Sequence, residues 1–158
     1  YTFRRASAED LPLIEAWLAE RHVAKWFRDG EELLAQAKAD IGGAGGQPLL
    51  MLLSGEPVGF LAARPLEGAG PSACRVQPHG TMNLTFFIGV PAALGAGHGA
   101  RFVAQLAAGM LETGSPRVIA APDARNISAI GCLGRAGFQP AGMVDLPRGR
   151  GLEMARTK

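Results

Sequence analysis

Apolar positions along the chain recur with two different periods, and the switches between them lay out the elements. Leu11, Ile14, Trp17 and Leu18 repeat at helical spacing. Ser7 precedes them as an N-cap residue, with Asp10 three positions on, so a helix is predicted over 8–21. Asp29 and Glu32 open a second helix in the same way, carrying Leu33, Leu34 and Ala37, and the run Gly42 to Gly46 ends it. Thr2 to Arg5 reads as a strand. Gln47–Ser54 and Val58–Arg64 form a hairpin pattern around Gly55-Glu56-Pro57. Residues 65–80 read as a loop and Met82–Gly89 as a central strand.

Beyond that strand the period alternates again. A helix is predicted over 99–113, with Phe102, Val103, Leu106, Met110 and Leu111 inward. A strand follows over 116–121, then a helix over 125–136 that stops at Gly137. Two last strands, 138–145 and 151–157, flank a turn at 147–150. The order β-α-α-β-β-β-α-β-α-β-β, without repeats or linkers, predicts one domain over residues 1–158. Its fold class is α/β with a mixed sheet.

Composition narrows the class. The 158 residues are 47% hydrophobic and 19% charged, enough to build a core and too apolar for a disordered chain. Net charge is +2, and the Lys and Arg residues are scattered, which argues against nucleic acid as a partner. No run is long and apolar enough for a membrane span, and no signal peptide is visible, so the cytoplasm is the expected location. Cys74 and Cys132 have neither metal nor redox spacing, so free thiols and no metal site are expected.

One segment carries chemistry. The apolar run Phe86-Phe87-Ile88 stops at Gly89 and Pro91, and Leu94-Gly95-Ala96-Gly97-His98-Gly99-Ala100 leads into a helix. Glycines remove the Cβ atoms that would keep an anion away. The unpaired N–H groups of the first helical turn then point at it. A phosphorylated small molecule is therefore expected. A dinucleotide-binding loop would come earlier in the chain, and a Walker loop would need Lys-Ser or Lys-Thr after the last glycine, where Ala100-Arg101 stands.

A second segment, Ala121-Pro122-Asp123-Ala124-Arg125-Asn126-Ile127-Ser128-Ala129, runs on to Ala136-Gly137-Phe138. Together with the glycine loop it resembles the GNAT superfamily of acetyl-CoA-dependent N-acetyltransferases, along the whole chain. The resemblance implies a mixed sheet of about seven strands flanked by about four helices and splayed between the fourth and fifth strands. Acetyl-CoA would be the co-substrate and a small-molecule amine the acceptor, on a monomer or a homodimer. Trp17-Leu18, His22-Val23 and Trp26-Phe27 look like the N-terminal pattern of one branch. That branch holds aminoglycoside 6′-N-acetyltransferases and siderophore-biosynthesis N-acyltransferases. The departures are Leu133, where many members carry a Tyr general acid, and Thr85, where the two branch types carry Asp or His.

The resemblance assigns residues. Leu94, Gly95, Ala96, Gly97, His98, Gly99 and Ala100 would hold the pyrophosphate, and Asn126 would flank the pantetheine arm. Backbone groups of Phe87, Ile88 and Gly89 would pair with its amides, one N–H facing the thioester oxygen. Asp123 is the first candidate for the base or for holding the acceptor ammonium, with a helix cap as the plain alternative. Thr85 could orient a water. His22 and Trp26, four residues apart, would share a helix face and wall an acceptor pocket. Glu67 and Asp145 are the few acids an aminoglycoside could use. A coenzyme A-binding module without catalysis is the rival reading.

Overall fold

The structure, a computed structural model, describes residues 1–66, 77–147 and 149–158. Glu67 and Cys74 lie outside them. Strands β1 (Thr2–Arg5), β2 (Gln47–Leu53), β3 (Glu56–Pro65), β4 (Met82–Ile88), β5 (Val118–Ala120), β6 (Gln139–Leu146) and β7 (Gly149–Arg156) form a seven-stranded sheet. Its order is β1-β2-β3-β4-β5-β7-β6. The α-helices are α1 (Leu11–Leu18), α2 (Arg21–Ala24), α3 (Gly30–Ile41), α4 (His98–Glu112) and α5 (Ile127–Arg135). Five described α-helices stand where about four were expected. The predicted helix over 8–21 is a 3-10 turn (Ala8–Asp10) and then α1. Glu20 is extended and restarts the chain as α2.

The described chain falls into two compact units. One comprises Tyr1–Ala63 with Phe86–His98, the other Arg64–Thr85 with Gly99–Lys158. In the first, β1, β2 and β3 pair antiparallel. The β2–β3 turn is Ser54-Gly55, both at positive φ (52° and 85°). That two-residue geometry matches the strand twist, so β3 starts at Glu56 and takes in Pro57, two residues earlier than expected. The core gathers Ile14, Trp17, Leu18 and Val23 from the helices against Leu50, Phe60 and Phe87 from the sheet. Phe87 is its hub, with ring centroids 5.6 Å from Phe60, 5.5 Å from Phe27 and 6.4 Å from Trp17.

In the second unit β4 and β5 pair parallel, β5 and β7 antiparallel, and β6 and β7 as a hairpin. The β4–β5 ladder comprises Met82–Val118 and Asn83–Ile119 and goes no further, which is the expected splay. Phe102, Val103, Ala107 and Leu111 of α4 are buried, as are Val118 and Ile119 of β5 and Leu133 of α5. Leu106 and Met110, expected inward, are half-buried.

Candidate active site

The end of β4 is held more firmly than the sequence suggested. Met82 N–H donates to Arg117 C=O at 3.0 Å, and Gly89 N–H donates to Val58 C=O at 2.8 Å. Backbone groups alternate sides along a strand. Even-numbered residues of β4 therefore aim theirs toward the β5 edge, and odd-numbered residues aim theirs at β3. Ile88 is even, and its C=O accepts a 2.8 Å hydrogen bond from His22 Nε2. Of the backbone groups expected to be open near Phe87, Ile88 and Gly89, the Ile88 carbonyl and the Gly89 amide are thus already engaged. Phe87 contributes its ring to the core. Trp17 covers Gly89: a Cβ built there would land on the indole ring.

His22 and Trp26 do not share a helix face. The helix ends at Ala24, so only His22 is on it. Trp26 is half-buried beyond the end, with Lys25 Nζ 5.0 Å above its ring.

The glycine loop has the form an anion needs. Gly95 and Gly97 both sit at φ 80°, a conformation costly for other residues, and a Cβ at either would meet nothing within 4 Å. The loop therefore borders open space. Leu94 N–H closes a 3-10 turn onto Pro91 C=O at 3.1 Å, and its side chain is exposed. Ala96 lies between the two glycines. α4 begins at His98, one residue earlier than expected, so Gly97, His98, Gly99 and Ala100 open it with N–H groups that have no acceptor within the helix. His98 Nδ1 is bonded to the Tyr1 hydroxyl at 2.7 Å.

Asp123 stands just after β5, pinned by an isolated antiparallel bridge to Gly151. Its Oδ1 accepts from Arg125 N–H at 2.9 Å and from Arg125 Nε at 3.0 Å, and its Oδ2 accepts from Nη2 at 2.9 Å. The carboxylate raises the Arg125 pKa, first through these bonds and then through its charge. Asp123 does not cap α5. Asn126 does: its Oδ1 accepts from Ala129 N–H at 3.2 Å. The buried Asn126 thus has a structural role of its own, whatever it adds toward a ligand.

Thr85 is half-buried in mid-β4, on the face it shares with Phe87 by strand alternation. Leu133 is fully buried in α5. Cys132 is a buried free thiol whose pKa burial pushes up, with Arg135 opposing weakly. Asp145 is almost fully exposed, its carboxylate 3.8 Å from Arg150. Among the described residues no group of three or more His, Cys, Asp or Glu is gathered to hold a metal ion, and no helix is long and apolar enough to cross a membrane. Two positioning groups escaped the sequence reading, Trp17 and Val58. Both sit in ordinary apolar patterns, and only three-dimensional placement brings them to Gly89.

A splayed strand end and a glycine loop opening a helix define an acyltransferase that draws on a coenzyme A thioester. The family model for the acetyltransferase (GNAT) domain matches residues 6–146, and the chain belongs to that family of acetyl-CoA-dependent N-acetyltransferases. An aminoglycoside N(6′)-acetyltransferase type 1 from Klebsiella pneumoniae is 25% identical over 174 aligned positions, covering 99% of this chain and 83% of the relative. A solved aminoglycoside acetyltransferase, AAC(6′)-Ib in complex with paromomycin and acetyl-CoA, is similar at TM-score 0.85 and 24% identity, covering 99% of this chain and 93% of that one. An uncharacterized Bacillus halodurans protein is similar at TM-score 0.88 and 19% identity, covering 98% and 82%. These two structures establish the shared fold.

Proposed function

We propose that the chain acts as one domain over residues 1–158 and moves the acetyl group of acetyl-CoA directly to a primary amine of a small molecule. The observation that carries this reading is the loop from Leu94 to Ala100. Its glycines face open space, and its last residues open a fifteen-residue helix with N–H groups that have no acceptor within the helix. In this reading the pyrophosphate lies against Gly95, Ala96, Gly97, His98, Gly99 and Ala100, with Asn126 beside the pantetheine arm.

The chemistry follows from what an amide needs. The amine nitrogen attacks the thioester carbonyl carbon, the C–S bond breaks, and coenzyme A leaves as thiolate to take up a proton. The Ile88 N–H, aimed at the open edge of β4, donates to the carbonyl oxygen as negative charge builds there. Asp123 holds the acceptor ammonium and takes its proton. Thr85 orients a water on the acceptor side, and Trp26 supplies an apolar wall. Acetyl-CoA is abundant in the cytoplasm, the compartment this reading implies.

Two kinds of amine fit as acceptor. The Klebsiella pneumoniae relative favours an aminoglycoside, while Thr85 in place of an acid and the exposed Asp145 favour a less cationic amine. Thiol release from acetyl-CoA with kanamycin, ribostamycin and simple diamines separates them. Thiol release with none of a broad amine panel, despite tight acetyl-CoA binding, would leave a coenzyme A-binding module instead.

A further inference from the structure

The His22–Ile88 bond spans 66 residues and does not belong to any ladder of the sheet. A carbonyl can only accept, so His22 Nε2 carries the proton and the imidazole is the donor. The peptide that receives it joins Ile88 to Gly89. Its other polar end, the Gly89 N–H, donates to Val58 C=O at 2.8 Å. Trp17 stands against the Gly89 Cα, close enough that no side chain fits there. One peptide unit is therefore pinned at both ends. It is the last unit of β4, where the strand gives way to the 3-10 turn Pro91–Ala93 that feeds the glycine loop.

We propose that His22 is a positioning residue for acyl transfer, acting through the Ile88 carbonyl. This rests on the reading that the end of β4 receives the thioester. Pinning the Ile88–Gly89 peptide also restrains the preceding one, since only the φ and ψ of Ile88 separate the two. The preceding peptide carries the Ile88 N–H that faces the acyl oxygen. The bond also takes one of the two lone pairs of the Ile88 carbonyl, which leaves a ligand amide only the second. In that reading the thioester comes to rest beside the Ile88 N–H. A reacting group held to within a fraction of an ångström gains rate without gaining affinity.

Two variants separate this role from its alternatives. His22→Gln carries an amide N–H at the reach of Nε2, while His22→Leu keeps the bulk and removes the donor. The readouts are kcat and KM for acetyl-CoA and for the amine, with the Gly89 amide NMR shift as reporter of the peptide. The Leu variant is expected to lose about tenfold to hundredfold in kcat. Both KM values should stay near wild type, and the Gly89 resonance should move. The Gln variant is expected to recover most of the rate and the native resonance. A Gln variant as slow as Leu, with Gly89 restored, would mean the imidazole itself moves protons and would overturn positioning. A Leu variant with unchanged kcat, or with only the amine KM raised, would overturn it too. Should Leu unfold the chain, His22→Asn, too short to reach the carbonyl, takes its place. Wild-type turnover with an amine tests the underlying reading separately: its absence removes the acyl-transfer function, whereas the split between variants concerns His22 alone.

Discussion

Asp123 and Arg125 clasp each other across one intervening residue, with the carboxylate accepting from the Arg125 backbone N–H and from two guanidinium nitrogens. The pair is shaped as a turn ahead of α5, and the cap of that helix is Asn126 instead. Replacing Asp123 by Asn keeps an oxygen for the backbone N–H and removes the charge. Turnover is expected to fall about 10²-fold, the scale of losing a positioned proton acceptor, with acetyl-CoA affinity unchanged. Steady-state kinetics and calorimetry on the same variant check both halves. Near-normal turnover would pass the role to Thr85 and a water chain.

Gly97→Val should abolish measurable acetyl-CoA binding. The open space beside its Cα is where the pyrophosphate is proposed to lie, and a branched side chain at φ 80° also strains the loop. Gly43→Val provides the control. Gly43 sits at φ 102° with nothing within 4 Å, so it carries comparable strain away from the loop. Both variants should lose melting temperature, and only Gly97→Val should lose binding by calorimetry. Equal affinities in the two would remove the cradle assignment.

Cys132→Ala should retain transfer activity and lose about 1 kcal/mol of stability, the scale of deleting one buried heavy atom. Burial raises the thiol pKa, which disfavours the thiolate that nucleophilic attack requires. Intact mass spectra recorded during turnover should show no acetylated protein. An acetylated species would replace direct attack with a two-step route.

Asp10 receives two guanidinium bonds from Arg4, each 2.9 Å, and one from the Ser7 N–H at 2.8 Å. Its pKa is lowered, chiefly by the Arg4 hydrogen bonds. A depressed carboxylate stabilises the fold fully above its unfolded value of about 4. That contribution is lost as pH falls through the lower folded value. Asp10→Asn should therefore cost about 0.5–1 kcal/mol at neutral pH, since Arg4 is half exposed and screened by solvent. The gap in melting temperature between wild type and variant should close in acid.

The order of strands and helices was legible because periodicity and turn residues are local signals. The glycine loop was legible because positive φ demands glycine, and Gly95 and Gly97 carry it. The break at Glu20 was not, because no Gly or Pro marks it and the backbone turns extended at an ordinary helix-forming residue. That break explains why His22 and Trp26 part company. The roles of Asp123 and Asn126 were interchangeable on paper, both being good cap residues three positions apart. Only the Ala129 N–H decides between them. The engaged Ile88 carbonyl could not have been read at all, since its partner lies 66 residues away.

Trp17 lying on the Gly89 backbone has a spectroscopic consequence. The chain has two tryptophans, and the other, Trp26, is half-buried outside the α2 helix. Indole emission shifts in colour and yield with the charge and water around the ring. A molecule that settles at the end of β4 alters the surroundings of Trp17 through a single peptide. With Trp26 replaced by phenylalanine, the chain becomes its own unlabelled dye, and occupancy of the strand end can be followed by light in real time.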